Sequence, residues 1–221
     1  MPIRARGTLL LDLDGTLVDP ALGILGCYRH ALASFGVEAP EAEDLRWLIG
    51  PPIREGFGRL LGGRGDVEEA VRRYRERYAA WGLRQASVYP GVLEALNAHH
   101  ARGTRLMLCT AKFHGFAGQV VEHFGLAPLL SGVYGAELDG RFENKADLIG
   151  HILDVEGLEP ANVCMVGDRK HDVIAAAAHD IPTIGVLWGY GGRAELEAAG
   201  AAMLIERAED LLPVGATTFS P

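Results

Sequence analysis

The chain has 221 residues, 48% of them apolar and 23% charged, a balance that suits a folded globular protein and excludes disorder as its ground state. Its net charge of −8 argues against nucleic acid or an anionic membrane as the main partner. No apolar run reaches the length of a membrane span, "MPIRARG" lacks the form of a secretory signal, and Cys27, Cys109 and Cys164 are too scattered for a disulfide framework or a zinc site, so a cytoplasmic protein with reduced core thiols is expected.

The first predicted element is a strand, Thr8 to Leu13, inside "LLLDLDGTLVD", where an apolar run ends in Asp12 and Asp14 followed by Gly15-Thr16. The text then turns helical. "ALGILGCYRHALASFGV", "AEDLRWLIG", "PPIREGFGRLLGG" and "DVEEAVRRYRERYAAWGLRQ" space their apolar residues by three and four, with Gly and Pro between them. Residues 20–86 hold ten arginines against nine acids, whereas the rest of the chain holds 11 basic and 20 acidic residues. This asymmetry fits either a lid that tolerates anions over an acidic site or a solvated helix face in "EEAVRRYRERY".

From Tyr89 onward helices and strands alternate. A helix at Val92 to His100, a strand at Arg105 to Cys109 and a helix at Phe113 to Phe124 precede irregular β-like text with a turn in "LDGR". A helix at Lys145 to Val155, a strand at Val163 to Val166, a helix at Lys170 to His179, a strand at Thr183 to Leu187 and a last strand at Met203 to Ile205 follow; the tail "GATTFSP" reads as loose. Such alternation predicts an α/β fold, a doubly wound parallel sheet, with an all-helical cap inserted after the first strand. The expected division is a core of residues 1–16 and 89–221 and a cap of residues 17–88.

In open sheets of this kind ligands bind beyond the carboxyl ends of the strands. Asp12 and Asp14 lie at the end of the first strand, with Leu13 turned to the opposite side. "RLMLC" ends at Thr110, "NVCMV" ends at Gly167-Asp168 with Asp172 one helical turn on, and "FENKADLI" opens a helix with Asn144 as its cap. Lys145 stands in that helix's first turn, where the helix dipole disfavours a cation, and such violations tend to mark function. The chain has only three lysines, Lys112, Lys145 and Lys170; the first and last read as solvated surface residues.

Four carboxylates around one lysine repel one another unless a cation joins them, and an all-oxygen donor set points to magnesium rather than zinc. A carboxylate beside a cation, a second carboxylic acid two residues on, and a hydroxyl and an ammonium for anionic oxygens suit phosphoryl transfer through an aspartyl phosphate. Asp12 is the candidate nucleophile, Asp14 the acid–base, and Thr110 and Lys145 the candidate phosphate ligands. Gly15 permits the sharp turn away from the strand.

"DLDGTLVD", "LCTAK", the Lys145 of "NKADLI" and "GDRKHD" together resemble the four ordered motifs of haloacid dehalogenase-type phosphatases, over nearly the whole chain. The resemblance is greatest to phosphoglycolate phosphatase-like members with a helical cap on a Rossmann-like core. It implies magnesium held by Asp12, the backbone carbonyl of Asp14, and Asp168, with Asp172 in or beside that shell, and a small phosphorylated metabolite as substrate. An aspartate at position 14 speaks against dehalogenases, and a cap without lysine speaks against phosphonate cleavage. A 5'-nucleotidase, a pyrophosphatase or a sugar-phosphate mutase on the same fold stays open, although "LVDPALGIL" lacks the histidine that mutases carry in the first hinge. A phosphoacceptor signalling module is the rival from another class. Arg54, after the double proline in "GPPIREGF", is the candidate for contacting a substrate carboxylate or second phosphate, with an exposed helix arginine as the alternative. Oligomeric state is not legible.

Overall fold

The computed structural model describes residues 7–41 and 43–213; residues 1–6 of "MPIRARG" and the tail "GATTFSP" lie outside the described residues. The chain begins with β1 (Thr8–Leu11), every residue of which is buried. Next come β2 (Val18–Asp19), α1 (Ala21–Ala33), a 3₁₀ turn over Glu43–Leu48, α2 (Ile53–Leu61), α3 (Val67–Ala80) and β3 (Ser87–Val88). β2 and β3 pair antiparallel, so the two ends of the helical stretch meet. The remainder alternates: α4 (Val92–Ala101), β4 (Arg105–Phe113), α5 (His114–His123), β5 (Gly132–Ala136), α6 (Lys145–Glu156), β6 (Val163–Gly167), α7 (Lys170–Ala177), β7 (Thr183–Val186), α8 (Arg193–Ala199) and β8 (Met203–Ile205).

Six of these strands form one sheet in the order β5-β4-β1-β6-β7-β8, all parallel. β1 lies inside it, paired with β4 on one side and β6 on the other, which is why "TLLL" is apolar at successive positions rather than alternating with polar residues. The period of two shows instead in the core each residue joins. Leu9 and Leu11 pack with Leu106, Leu108, Cys164 and Val166. Leu10 packs on the other side with Met107, Met165 and the α6 residues Leu148, Ile149 and Ile152. The α/β doubly wound sheet read from the sequence is thus the observed fold.

The helices between β2 and β3 pack through aromatic rings. Tyr28 of α1 meets Phe57 of α2 at 4.6 Å and Tyr74 of α3 at 5.0 Å, and Tyr78 meets Phe116 of α5 at 5.2 Å between centroids. Asp66 caps α3, accepting from the Glu68 amide at 2.9 Å, and Gly62 ends α2 in the left-handed conformation. Several boundaries differ from expectation, and two of them bear on the acidic strand ends. β1 ends at Leu11, although the Asp12 amide still donates to the Val166 carbonyl at 3.0 Å, and β4 runs on to Phe113 because its register against β5 shifts between Thr110 and Phe113. All three cysteines are buried and none is in a disulfide, and among the described residues no helix is long and apolar enough to cross a membrane.

Candidate active site

The parallel sheet brings the carboxyl ends of β1, β4 and β6 to one edge, and the residues just beyond them line a cavity of about 480 Å³. Asp12, Asp14, Thr110, Lys145 and Asp172 all face it. Thr110 is buried at the shift in β4, its hydroxyl accepting from the Lys112 amide at 3.2 Å. Lys145 is held in the first turn of α6, whose cap Asn144 accepts from the Ala146 amide at 2.9 Å. Its ammonium donates to Asp12 Oδ1 at 2.7 Å and also to Asp172 Oδ1. The cation that the helix dipole disfavours is therefore retained by two carboxylates.

Asp168 lies beneath this surface with no solvent exposure. Its Oδ2 accepts from the Tyr190 amide at 2.7 Å, and the Thr16 hydroxyl approaches Oδ1 at 3.4 Å. Gly15, at φ +94°, lets the chain pass over Asp168: a Cβ there would stand 2.3 Å from Oδ2. Asp172, at the start of α7, uses its other oxygen, Oδ2, to accept from the Arg169 amide at 3.0 Å. One carboxylate oxygen each from Asp12, Asp168 and Asp172 falls within 4.8 Å of the other two, and all three residues are buried. Three buried acids with an all-oxygen donor set fit a hard divalent cation. Burial pushes the Asp168 carboxyl well above its usual range, and the nearby Asp12 and Asp172 charges push it further.

The two aspartates of the first motif have different surroundings. Asp12 is raised by burial and opposed by Lys145. Asp14 is raised by burial and opposed by Lys112, whose ammonium pairs with Asp14 Oδ2 and lies 4.8 Å from the Tyr78 ring centroid. Asp14 Oδ1 is buried with no hydrogen-bond partner. The Asp14 carboxylate is not one of the three clustered acids.

Two sequence expectations need correction. Lys112 is not a solvated lysine: its side chain is 7% exposed, because the extended β4 carries it inward to Asp14. Arg54 does not line the cavity. Its guanidinium is taken by Glu68, at 2.7 Å, and by Glu143, which ties α2 and α3 to the loop before Lys145. The arginines that do line the cavity are Arg75 of α3 and Arg169, at the start of α7. The "LWGYGG" loop of residues 187–192 holds Asp168 through Tyr190 and joins the turn after β1 through Trp188, whose indole donates to the Thr16 carbonyl at 3.0 Å. Its glycines were the available signal, since a Cβ at Gly191 would stand 1.9 Å from the Asp168 carbonyl oxygen.

A family model described as haloacid dehalogenase-like hydrolase matches residues 9–186. A 5'-nucleotidase of Pseudomonas aeruginosa is 40% identical over 191 residues, covering 86% of each chain. The tyrosine-protein kinase PtkA of Mycobacterium tuberculosis is 39% identical over 190 residues, 86% of this chain but 65% of that protein. A phosphoglycolate phosphatase of Rhodospirillum rubrum is 34% identical over 82% of this chain and 80% of its own. Among solved structures, one described as a predicted phosphatase from Clostridium acetobutylicum superposes with a TM-score of 0.88 at 32% identity, over 93% of this chain and 96% of that one. With these matches spanning the sheet and the acidic strand ends alike, the chain belongs to the haloacid dehalogenase-like hydrolases.

Proposed function

We propose that the protein hydrolyses a small organic phosphomonoester through a phosphorylated Asp12, with magnesium as cofactor. The observation that carries this reading is the convergence of Asp12, Asp14, Thr110 and Lys145 on one cavity, with a second carboxylic acid beside the nucleophile. An oxygen of Asp12 attacks phosphorus and the bond to the leaving alcohol breaks. Asp14 delivers its proton to the departing oxygen, then takes one from the water that cleaves the aspartyl phosphate and releases inorganic phosphate. A carboxyl raised by burial suits that exchange, and the unpartnered Asp14 Oδ1 is free to make it. Lys145 and the Thr110 hydroxyl bind phosphoryl oxygens.

Asp12, Asp168 and Asp172, with the backbone carbonyl of Asp14 that the family pattern supplies, would hold the magnesium. Bound there, it supplies positive charge against the three carboxylates and the phosphoryl oxygens. Residues 17–88 act as a cap that excludes water from the closed site and selects the alcohol, over a core of residues 1–16 and 89–221. The substrate class is a small phosphorylated metabolite, with nucleoside monophosphates and phosphoglycolate as the first two to try because of the relatives just named.

The test is turnover of p-nitrophenyl phosphate with and without magnesium. Steady hydrolysis that needs the cation and is abolished in Asp12→Asn supports the reading. A stable phosphoprotein that forms without turnover overturns it in favour of a phosphoacceptor module.

A further inference from the structure

The cavity is larger than a phosphoryl group and a two-carbon acid require. At about 480 Å³ it lies in the range that encloses ligands of drug size. Away from the clustered carboxylates much of its wall is apolar and aromatic, with Tyr28, Ile53, Tyr78, Phe113 and Phe116 among the lining residues, and Glu55, Glu143 and Arg169 add charged groups to it. An apolar wall of this kind gains from covering a flat or aliphatic group, and a small hydrophilic leaving alcohol would leave it facing water.

Arg75 is the cationic side chain that α3 contributes to this wall. It neighbours Arg54, Glu68 and Glu143, but Arg54 takes both of those carboxylates as direct partners. Among the described residues Arg75 makes no ion pair; the guanidinium stands 6.0 Å from the Phe113 ring centroid. It is partly buried, and burial holds its pKa below the usual arginine value. A guanidinium partly removed from water with its fork of donors unused is suited to a planar anion.

We propose that Arg75 is the specificity-determining residue, and that the preferred substrate carries a second anionic group, carboxylate or phosphate, separated from the scissile phosphate by an apolar or aromatic portion. This rests on the phosphatase reading above and adds the class of leaving alcohol to it. It gives Arg75 the role for which the sequence offered Arg54 as a candidate, whose guanidinium pairs with Glu68 and Glu143.

The test compares phenyl phosphate, 4-carboxyphenyl phosphate and phosphoglycolate on the full chain with magnesium, in wild type, Arg75→Met and Arg54→Met. Binding of 4-carboxyphenyl and phenyl phosphate is measured in parallel by calorimetry on Asp12→Asn versions of each. The expected result is a wild-type kcat/KM for 4-carboxyphenyl phosphate roughly 10- to 100-fold above that for phenyl phosphate, the size of one charge-assisted contact. Arg75→Met removes that ratio, in turnover and in affinity, and Arg54→Met retains it. Folding of the variants is checked by their unfolding midpoints, and Arg75→Lys, which keeps a cation without the fork, is expected to recover part of the ratio. Turnover of all substrates with a ratio untouched by Arg75→Met, or a preference for phosphoglycolate, overturns the inference and leaves the phosphatase reading standing. Absence of turnover together with an Arg75-dependent affinity ratio has the opposite meaning: the hydrolytic reading fails and the anion contact survives.

Discussion

Lys112 and Asp14 form a buried pair, 7% and 13% exposed, whose members depend on each other for charge balance. Burial opposes the charge on Lys112, but Asp14 and the Tyr78 hydroxyl outweigh it and raise its pKa above the ordinary lysine value. Lys112→Met therefore leaves the Asp14 carboxylate buried without its cation and is expected to cost about 3–5 kcal/mol, measured by urea unfolding. Lys112→Met combined with Asp14→Asn should recover much of that loss, because the stranded charge is then gone; an additive double variant would show that the pair is not coupled. The same carboxyl bears on turnover. Asp14→Asn is expected to slow hydrolysis by roughly 10²–10⁴-fold, the range for loss of a general acid–base, while phosphate binding through Lys145 and Thr110 persists. At this scale the sequence was uneven. Asp12, Asp14, Thr110, Lys145 and Asp172 were legible because strand ends and a dipole-violating lysine announce themselves locally. Lys112 was not, since its inward direction depends on a register shift in β4 against β5, which the pattern of β4 alone does not report.

Elements place these residues, and two of them do so through contacts that have measurable consequences. The loop of residues 187–192 follows β7 and folds over Asp168, and a Cβ at Gly189 would come within 2.4 Å of the Gly15 carbonyl oxygen. Gly189→Ala is expected to force the loop from Asp168, costing about 1–3 kcal/mol and weakening magnesium affinity. Calorimetric titration with magnesium checks it, and unchanged affinity would mean that the loop does not hold the acid. Elsewhere, α4 anchors the 3₁₀ turn over Ala208–Leu211 through His99, whose Nε2 lies 2.8 Å from the Leu211 carbonyl and whose Nδ1 lies 3.3 Å from the Thr104 hydroxyl. Burial holds this imidazole below its ordinary pKa of 6.5. The unfolded chain therefore takes up the proton first, so the contribution of His99 to stability is complete above about pH 6.5 and is lost as the pH falls below it. The difference in unfolding free energy between wild type and His99→Gln should shrink from pH 7.5 to pH 5.5; a constant difference would mean that His99 keeps the same proton count in both states. Helix and strand positions were readable from periodicity, because each pattern is satisfied within its own stretch of chain. The roles of His99 and of "LWGYGG" depend on packing between elements far apart in sequence, which periodicity does not report.

At the scale of the molecule the question is what couples the helices between β2 and β3 to the sheet edge, and besides the Arg54–Glu143 pair Arg169 is a side chain that reaches both. It caps α7 between Asp168 and Asp172, its Nε donates to Glu195 Oε1 at 2.9 Å, and its Nη1 donates to the carbonyl of Ile49, in the turn that leads to α2. Gly50, at φ +107°, fits closely over it, with an added Cβ only 3.1 Å from Arg169 Cγ. The segment that carries two of the three clustered acids is thus tied directly to the helical stretch, and the alternation that revealed the parallel sheet gave no hint of the tie. Such a link restrains opening of the cavity, and its removal should act on the helical stretch selectively. In Arg169→Met the backbone amides of residues 46–58 are expected to exchange with deuterium at least about tenfold faster, the effect of losing roughly 1.5 kcal/mol of restraint, while those of β1, β4 and β6 keep their protection. Because the aromatic contacts from Tyr28 to Phe116 remain, the helices should stay folded, and circular dichroism should be unchanged. Uniformly faster exchange across the sheet would mean that Arg169 supports the whole fold rather than this one tie, and unchanged exchange at residues 46–58 would mean that the aromatic contacts and the Arg54–Glu143 pair keep the cavity closed without it.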